Sequence, residues 1–307
     1  MILLKRLAAV FWLLSLFLTH PCFAATITTD DQQIQTLAAS PQWHRLLHYE
    51  PGFSGHRVES QVDDARFFLA ADGKHNPVAE LKATLAAFYA ALTEPGEEQL
   101  NQHAMCRFPA RWQFLHEQLK LPLPPLTQQQ CPEFNQWMNT LKPHSISLIF
   151  ASSYLNSPSS MFGHTFLRVD PANVETGSTW LSYAINFGAE LNSDDNSLLY
   201  AYKGLFGGYP GFFSVIRYYE KIKEYSRIEN RDLWEYNLNL TPAETRTMIS
   251  HLWELRDVIF DYYFFDENCS YRLLELLEVA RPGTSLRDEF GARAIPIDTV
   301  RAVIDGG

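Results

Sequence analysis

The hydrophobic positions change period near residue 140, and the change divides the chain into a helical part and a part rich in strands. Before it, apolar residues recur at helical spacing. Thr29 to about Tyr49 reads as helix, broken at Ser40-Pro41, where Ser40 can cap a second helix carrying Trp43, Leu46 and Leu47. Pro51 to Gly73 is loop-rich, with a short strand expected over Arg66 to Ala70. A long amphipathic helix opens at Asn76-Pro77 and carries Leu81, Leu85, Phe88, Tyr89 and Leu92 towards Pro95-Gly96. Another follows from Pro109-Ala110 with Trp112, Leu115 and Leu119, and the proline-rich Leu121 to Leu126 reads as a connector.

Beyond residue 140 the period shortens to two. Ser145 to Ser152 alternates like a strand, Gly163 to Val169 does so again, Asp170-Pro171 starts a turn, and Trp180 to Phe187 returns as a third strand. Gly204 to Gly211 has glycines enough for a phosphate cradle but lacks its lysine and helix start. A mobile aromatic lid built on Gly207, Gly208 and Tyr209 is the expectation there. Ser226 to Leu240 is expected to give a strand pair around Trp234 and Tyr236. Thr241-Pro242-Ala243-Glu244 is a capping box, and its helix carries Ile249, Leu252, Trp253 and Leu255. After the apolar run Val258 to Phe265, Leu273, Leu274, Leu276 and Leu277 mark a last helix that Asp266 or Asn268 can cap and Pro282-Gly283 ends. A sheet with packed helices is an α+β fold.

Composition adds a compartment. Lys5 and Arg6, an apolar stretch from Leu7 to Leu18, and Cys22-Phe23-Ala24-Ala25 follow the order of a secretory signal over residues 1–25, cleaved after Ala24 or Ala25. That stretch is too short for a comfortable membrane span, and Thr19-His20-Pro21 is not the context of a lipoprotein box. The formal charge is −10. Losing Lys5 and Arg6 makes the exported chain more acidic still, which argues against nucleic acid and against electrostatic attraction to anionic lipid. The organisation expected is a helical extension over residues 26–140 and a catalytic domain over 141–307.

Past the signal three cysteines remain: Cys106, Cys131 and Cys269. Three cysteines allow three pairings; joining Cys106 to Cys131 closes one modest loop and leaves Cys269 as an odd thiol in an oxidising compartment. Cys269 falls in the first turn of its helix. There the unpaired backbone N–H groups and the positive end of the helix dipole favour a thiolate, which makes a nucleophile of what is otherwise a small buried side chain. His164 follows Gly163 at the start of a strand, a rigid place from which to aim an imidazole, and the glycine admits a close neighbour. An imidazole beside the cysteine can take the thiol proton and return it to a leaving group. If Asp170 to Thr179 connects a hairpin, Asn186 comes back near His164 and can fix its tautomer, with Ser182 and Tyr183 as alternatives. The Cys269 backbone N–H supplies one oxyanion donor. Ser160 with His164 would make a serine hydrolase, but no nucleophile-elbow pattern surrounds Ser160. His44 and His48, at i, i+4, have no third metal ligand at a recognisable spacing, so neither a metal nor a cofactor is expected.

Several blocks together resemble a known family. Cys106 to Arg111, Ser157 to Arg168, Lys203 to Gly211, Glu229 to Tyr236 and Glu267-Asn268-Cys269-Ser270-Tyr271 are similar to the periplasmic N-terminal domain of Lnb-type lipoprotein N-acyltransferases, over about Cys106 to Gly283. Residues 30 to 105 resemble the helical extension that often precedes this domain. The resemblance implies a circularly permuted papain-like core, like that of lecithin–retinol acyltransferase, in which histidine precedes cysteine and the cysteine stands in an Asn-Cys pair opening a helix. His164 and Asn268-Cys269 match that order. It implies an acyl thioester on Cys269, with Asn268, Ser160, Gly163 and Tyr271 beside the substrate or its oxyanion. The partners expected are a lipid or lipoprotein acyl donor and a transient contact with the membrane surface, and a C-terminal continuation of the chain is expected too. Two other classes stay open: a cell-wall peptide amidase or cysteine peptidase using the same pair, and an envelope binding module without catalysis.

Overall fold

The computed structural model describes residues 30–52, 57–91, 102–122, 130–154, 162–172, 179–190, 195–264, 267–288, 290 and 294–306. The expected signal segment, Ser160 and Asp266 lie outside these residues. The chain divides into Met1–Gln33 and one compact unit, Ile34–Gly307.

The N-terminal helices are α1 (Asp31–Ala38), α2 (Pro41–Leu46), α3 (Pro77–Phe88), α4 (Ala104–Arg107), α5 (Pro109–Leu119) and α6 (Pro132–Leu141). Ser40 caps α2 and Asn76 caps α3, each followed by a proline whose missing N–H costs nothing at a helix start. A two-stranded antiparallel ribbon, β1 (Tyr49–Pro51) with β2 (Val58–Ser60), lies between α2 and α3 in the chain. The strand expected over Arg66 to Ala70 is instead a 3-10 turn, Ala65–Phe67. Asp64 causes the difference, because its carboxylate accepts the Arg66 backbone N–H and bends the chain. A disulfide joins Cys106 on α4 to Cys131 at the start of α6.

Residues beyond 141 build a six-stranded antiparallel sheet from β3 (Ser145–Ala151), β4 (His164–Asp170), β5 (Tyr183–Ala189), β6 (Tyr209–Arg217), β7 (Leu233–Asn237) and β8 (Phe260–Tyr262), in the order β7-β3-β4-β5-β6-β8. Alternation gives the sheet two apolar faces. On one, Ile149, Ala151, Phe166 and Ala184 pack under Tyr218 and Tyr225. The other meets the helix that opens at Cys269, to which β4 is tied where the Thr165 hydroxyl donates to the Ser270 hydroxyl across 3.1 Å. The third strand begins at Tyr183, after a 3-10 turn over Thr179–Leu181.

Two expectations change here. Between β5 and β6 the chain is not a free loop: Asn196 caps α7 (Ser197–Leu205), and a turn with Gly207 at φ +75° enters β6 at the buried Tyr209. Gly207, Gly208 and Tyr209, expected as a lid, therefore lie in a helix–turn–strand connection. In place of a strand pair over Ser226 to Leu240, α8 (Tyr218–Ile222) continues into a π-helical stretch, Lys223–Ile228, and only Leu233–Asn237 is strand. Tyr218, Ile222 and Tyr225 stand at i, i+4, i+7, the spacing that lays one helical stripe on the sheet. The last elements are α9 (Pro242–Glu254), opened by the capping box at Thr241 and Glu244, α10 (Cys269–Ala280) and α11 (Pro296–Asp305).

Candidate active site

The Cys269 helix is fixed at its first turn. Asn268 accepts the backbone N–H groups of Ser270 (3.0 Å) and Tyr271 (3.3 Å), and its own amide donates to the carbonyls of Ala294 (2.7 Å) and Phe264 (3.2 Å). Every polar atom of that side chain is consumed in holding the turn, so Asn268 positions Cys269 and offers no spare donor to an oxyanion. All twelve residues of α10 are buried, and Cys269 is 4% exposed.

His164 is the first residue of β4. Gly163 before it has φ +90°, and a Cβ there would stand 2.5 Å from the Phe150 ring and 3.0 Å from the Ala151 carbonyl. Only glycine fits, and its close neighbour is β3. The β4–β5 ladder runs Val169–Tyr183, Arg168–Ala184 and Leu167–Ile185. Extended, that register sets Asn186 opposite Phe166 and diagonal to His164 on the same face. Asn186 Oδ1 lies 2.7 Å from His164 Nε2 and accepts its proton. The alternatives are elsewhere: Ser182 donates to Asp170 (2.6 Å), and the Tyr183 ring lies under the Arg217 guanidinium.

At the end of β4 where the ladder to β5 has stopped, Cys269 meets the ring. The imidazole and the thiol act on each other through charge and side-chain hydrogen bonding. Burial pushes the thiol up; the charge and hydrogen bond of His164, the Thr165 backbone N–H and the Ser270 hydroxyl outweigh it and hold Cys269 at about 7. Burial likewise opposes a charged imidazole, and the cysteine and Asn186 outweigh it, so His164 is raised above its ordinary value. Both shifts favour the charged forms, thiolate on Cys269 and imidazolium on His164.

Tyr225 and Tyr262 close the site, and neither was visible in the sequence. The Tyr225 ring stands 5.8 Å from the His164 ring and is itself covered by Arg231. Tyr262, on β8, accepts the Cys269 backbone N–H at its hydroxyl, and burial and the neighbouring cysteine raise that hydroxyl well above the ordinary phenol value. Its ring stacks on Phe187 at 5.8 Å. Their signal was only aromatic residues among aromatic residues. Tyr271 is not brought to the sulfur: two residues on, it lies round the helix, where its hydroxyl is 3.5 Å from Arg287.

His44 and His48 do not converge either. His48 is buried against His251, Nε2 to Nε2 at 3.0 Å, whereas His44 packs edge-on against Tyr49. Among the described residues no group of three or more His, Cys, Asp or Glu is arranged to hold a metal, and no helix is long and apolar enough to cross a membrane. A cavity of about 440 Å³ lies along β7 and the far end of α10, lined by Leu238, Leu277, Arg281 and Ile304, away from the thiol.

Comparison with protein families finds two matches. Residues 35–118 match a domain of unknown function, DUF7843, and residues 133–306, more than half of the chain, match the Lnb N-terminal periplasmic domain. No curated protein and no solved structure matches. The matched span carries β3 to β8, His164, Asn186 and Cys269, and by it the chain belongs to the Lnb N-terminal periplasmic domain family, a family of exported domains.

Proposed function

We propose that the protein is an exported cysteine-dependent acyltransferase or lipid-ester hydrolase with a circularly permuted papain-like core, in which Cys269 is the nucleophile, His164 the general base and acid, and Asn186 the residue that orients the imidazole. The observation that carries the reading is the assembly of the three groups around a thiol held at about 7 by His164.

The Cys269 sulfur attacks the carbonyl carbon of an acyl ester, forming the C–S bond while the carbonyl electrons move onto oxygen. The Tyr262 hydroxyl, which itself accepts the Cys269 backbone N–H, is the donor for that oxyanion. Collapse breaks the C–O bond, and the imidazolium gives its proton to the departing alkoxide. An amine or water then attacks the thioester, its proton passes to His164, and the C–S bond breaks to return the thiolate. With a lipoprotein amine as acceptor the reaction is lipoprotein N-acylation; with water it is hydrolysis. An acyl donor from phospholipid or lipoprotein suits the apolar, aromatic surroundings of the sulfur.

The test is intact-mass analysis after incubation with phospholipid and, separately, with lipoprotein. A hydroxylamine-sensitive acyl adduct, absent in Cys269→Ala, is the expected result. No adduct with either donor, from a thiol that still alkylates readily, would move the reading to a peptide amidase with the same pair.

A further inference from the structure

On α7 the apolar residues point outward. Leu198, Leu199, Tyr202, Leu205 and Phe206 are all exposed, Leu198 to 85% and Phe206 to 66%. In a nine-residue helix of sequence SLLYAYKGL the only ionisable side chain besides the tyrosines is Lys203, and its ammonium is held by both carboxylate oxygens of Asp195 at 2.8 and 3.1 Å. The outward surface therefore presents hydrocarbon and phenol with no free charge.

The helix is also fixed to the candidate site. Gly204 packs so closely on the Phe264 ring that a Cβ would collide with it, and the Gly204 carbonyl accepts the Phe264 backbone N–H at 2.8 Å. Phe264 in turn accepts from Asn268, the cap of the Cys269 helix. Whatever α7 rests on, the first turn of α10 is held at a set distance from it.

We infer that α7 is a docking element that lays its exposed apolar face into the surface of a zwitterionic lipid bilayer, presenting the site that opens α10 to acyl esters held in that surface. Charge and size select this occupant. An uncharged apolar face on a chain of net charge −10 has nothing to gain from an anionic surface and loses little on entering the headgroup–acyl boundary, where amphipathic helices bury their apolar face. A helix of nine residues is about 14 Å long, short of what the roughly 800 Å² per partner of a stable dimer asks. Exposure on either side of the helix, at Leu198, Ala201, Tyr202, Leu205 and Phe206, makes it a projection, not a groove for a partner's side chain. The inference rests on the acyl-ester reading for its purpose; the docking itself needs no thiol chemistry.

Flotation of the exported protein with phosphatidylcholine vesicles tests it, in a Cys269→Ala background so that turnover plays no part. The wild-type helix is expected to carry protein to the top of the gradient, undiminished in 0.5 M salt. The triple variant Leu198→Ser, Tyr202→Ser, Phe206→Ser, with the same N-terminus, is expected to partition at least ten-fold more weakly. Equal partitioning of the two proteins, binding confined to anionic vesicles and abolished by salt, or a dimer that the triple variant dissolves would each overturn it. With Cys269 restored, a soluble short-chain thioester separates the two readings. Equal adduct formation by wild type and triple variant, with vesicle-borne ester acylating only the wild type, supports docking. No adduct in either protein would sink the acyl-enzyme reading and leave the flotation result to stand by itself.

Discussion

Replacing His164 by alanine removes the group that holds the thiol down, and the structure sets the size of the effect. With Cys269 at about 7, half of it is thiolate at pH 7. Without the imidazole, burial is the leading influence left, and the thiol returns to 9.0 or above, where roughly 1% is thiolate at pH 7, a loss of about 50-fold. The rate of alkylation falls less. A thiolate two units more basic is about eight-fold more nucleophilic at a Brønsted slope of 0.4–0.5, so the net loss at pH 7 is only about six-fold. The midpoint of the pH profile is therefore a sharper readout than the rate. Iodoacetamide labelling followed by intact mass from pH 5 to 10 is expected to give a midpoint near 7 for the wild type and at least two units higher for His164→Ala. Slow access to a 4%-exposed sulfur lowers both curves and moves neither midpoint. A variant midpoint still near 7, or a wild-type midpoint near 9, would refute the ion-pair account.

Three further outcomes are expected. Glu275 is buried and accepts from Arg272 and Arg287, each at 3.0 Å; burial, which raises its carboxyl, is outweighed by Arg272, His48 and Arg287, so it sits well below the ordinary value. Its stabilisation is thus present above the unfolded carboxyl value and lost as pH falls below it, and Glu275→Gln is expected to cost about 3–5 kcal/mol in urea titration at pH 7 and to flatten the decline between pH 5 and 3. Asn268→Ala removes a cap, about 1–2 kcal/mol, and orphans the Ala294 carbonyl, so a loss of about 2–4 kcal/mol is expected, with Asn268→Asp between it and wild type; equal stability of all three would remove the capping account. Reducing the Cys106–Cys131 bridge, which spans 25 residues, is expected to cost about 3.5 kcal/mol by loop entropy, read as a lower thermal midpoint in reductant that a Cys106→Ala, Cys131→Ala double variant reproduces without it.

The candidate site was legible where its geometry is local. A cysteine behind an Asn cap, a histidine behind glycine and an amide on the returning strand are each set by spacing, and diagonal pairing across β4 and β5 brings the last two to 2.7 Å. Illegible were contacts made by elements distant in sequence: the Tyr262 hydroxyl on the Cys269 N–H, the Tyr225 ring beside His164, and the Thr165 N–H left to the sulfur where a ladder ends. Local chemistry misled at α7, where glycines and aromatics suggested a loop and the Asn196 cap was passed over. It misled again along α10, where Arg272, Glu275 and Glu278 between leucines look like a solvated face. All three are buried because charged groups from elsewhere satisfy them, and hydrophobic periodicity carries no record of such partners.

Those partners explain why the two family matches meet in one chain. Arg272 reaches Gln61, and Glu275 faces His48 at 3.1 Å; Arg287, which binds Glu275 and Glu278, also takes Glu50. On α9, Glu254 accepts the backbone N–H groups of Ala110 and Arg111 while His251 meets His48. Asp63 accepts the Asp261 backbone N–H at 2.8 Å, and the Asp64 N–H reaches the Ile259 carbonyl, which fixes β8. Each of these N-terminal groups lies in residues 35–118, and their partners lie on α9, α10 or β8 except Ile259, one residue before β8, and Arg287, beyond α10. Stripped of that segment, Arg272 would lose Gln61, Glu275 would lose His48 and Glu278 would lose Arg45, three polar partners along the helix that bears Cys269. The N-terminal segment therefore supports the candidate site without touching it: it holds α10 and β8, and where those two elements meet, the Cys269 backbone N–H donates to the Tyr262 hydroxyl.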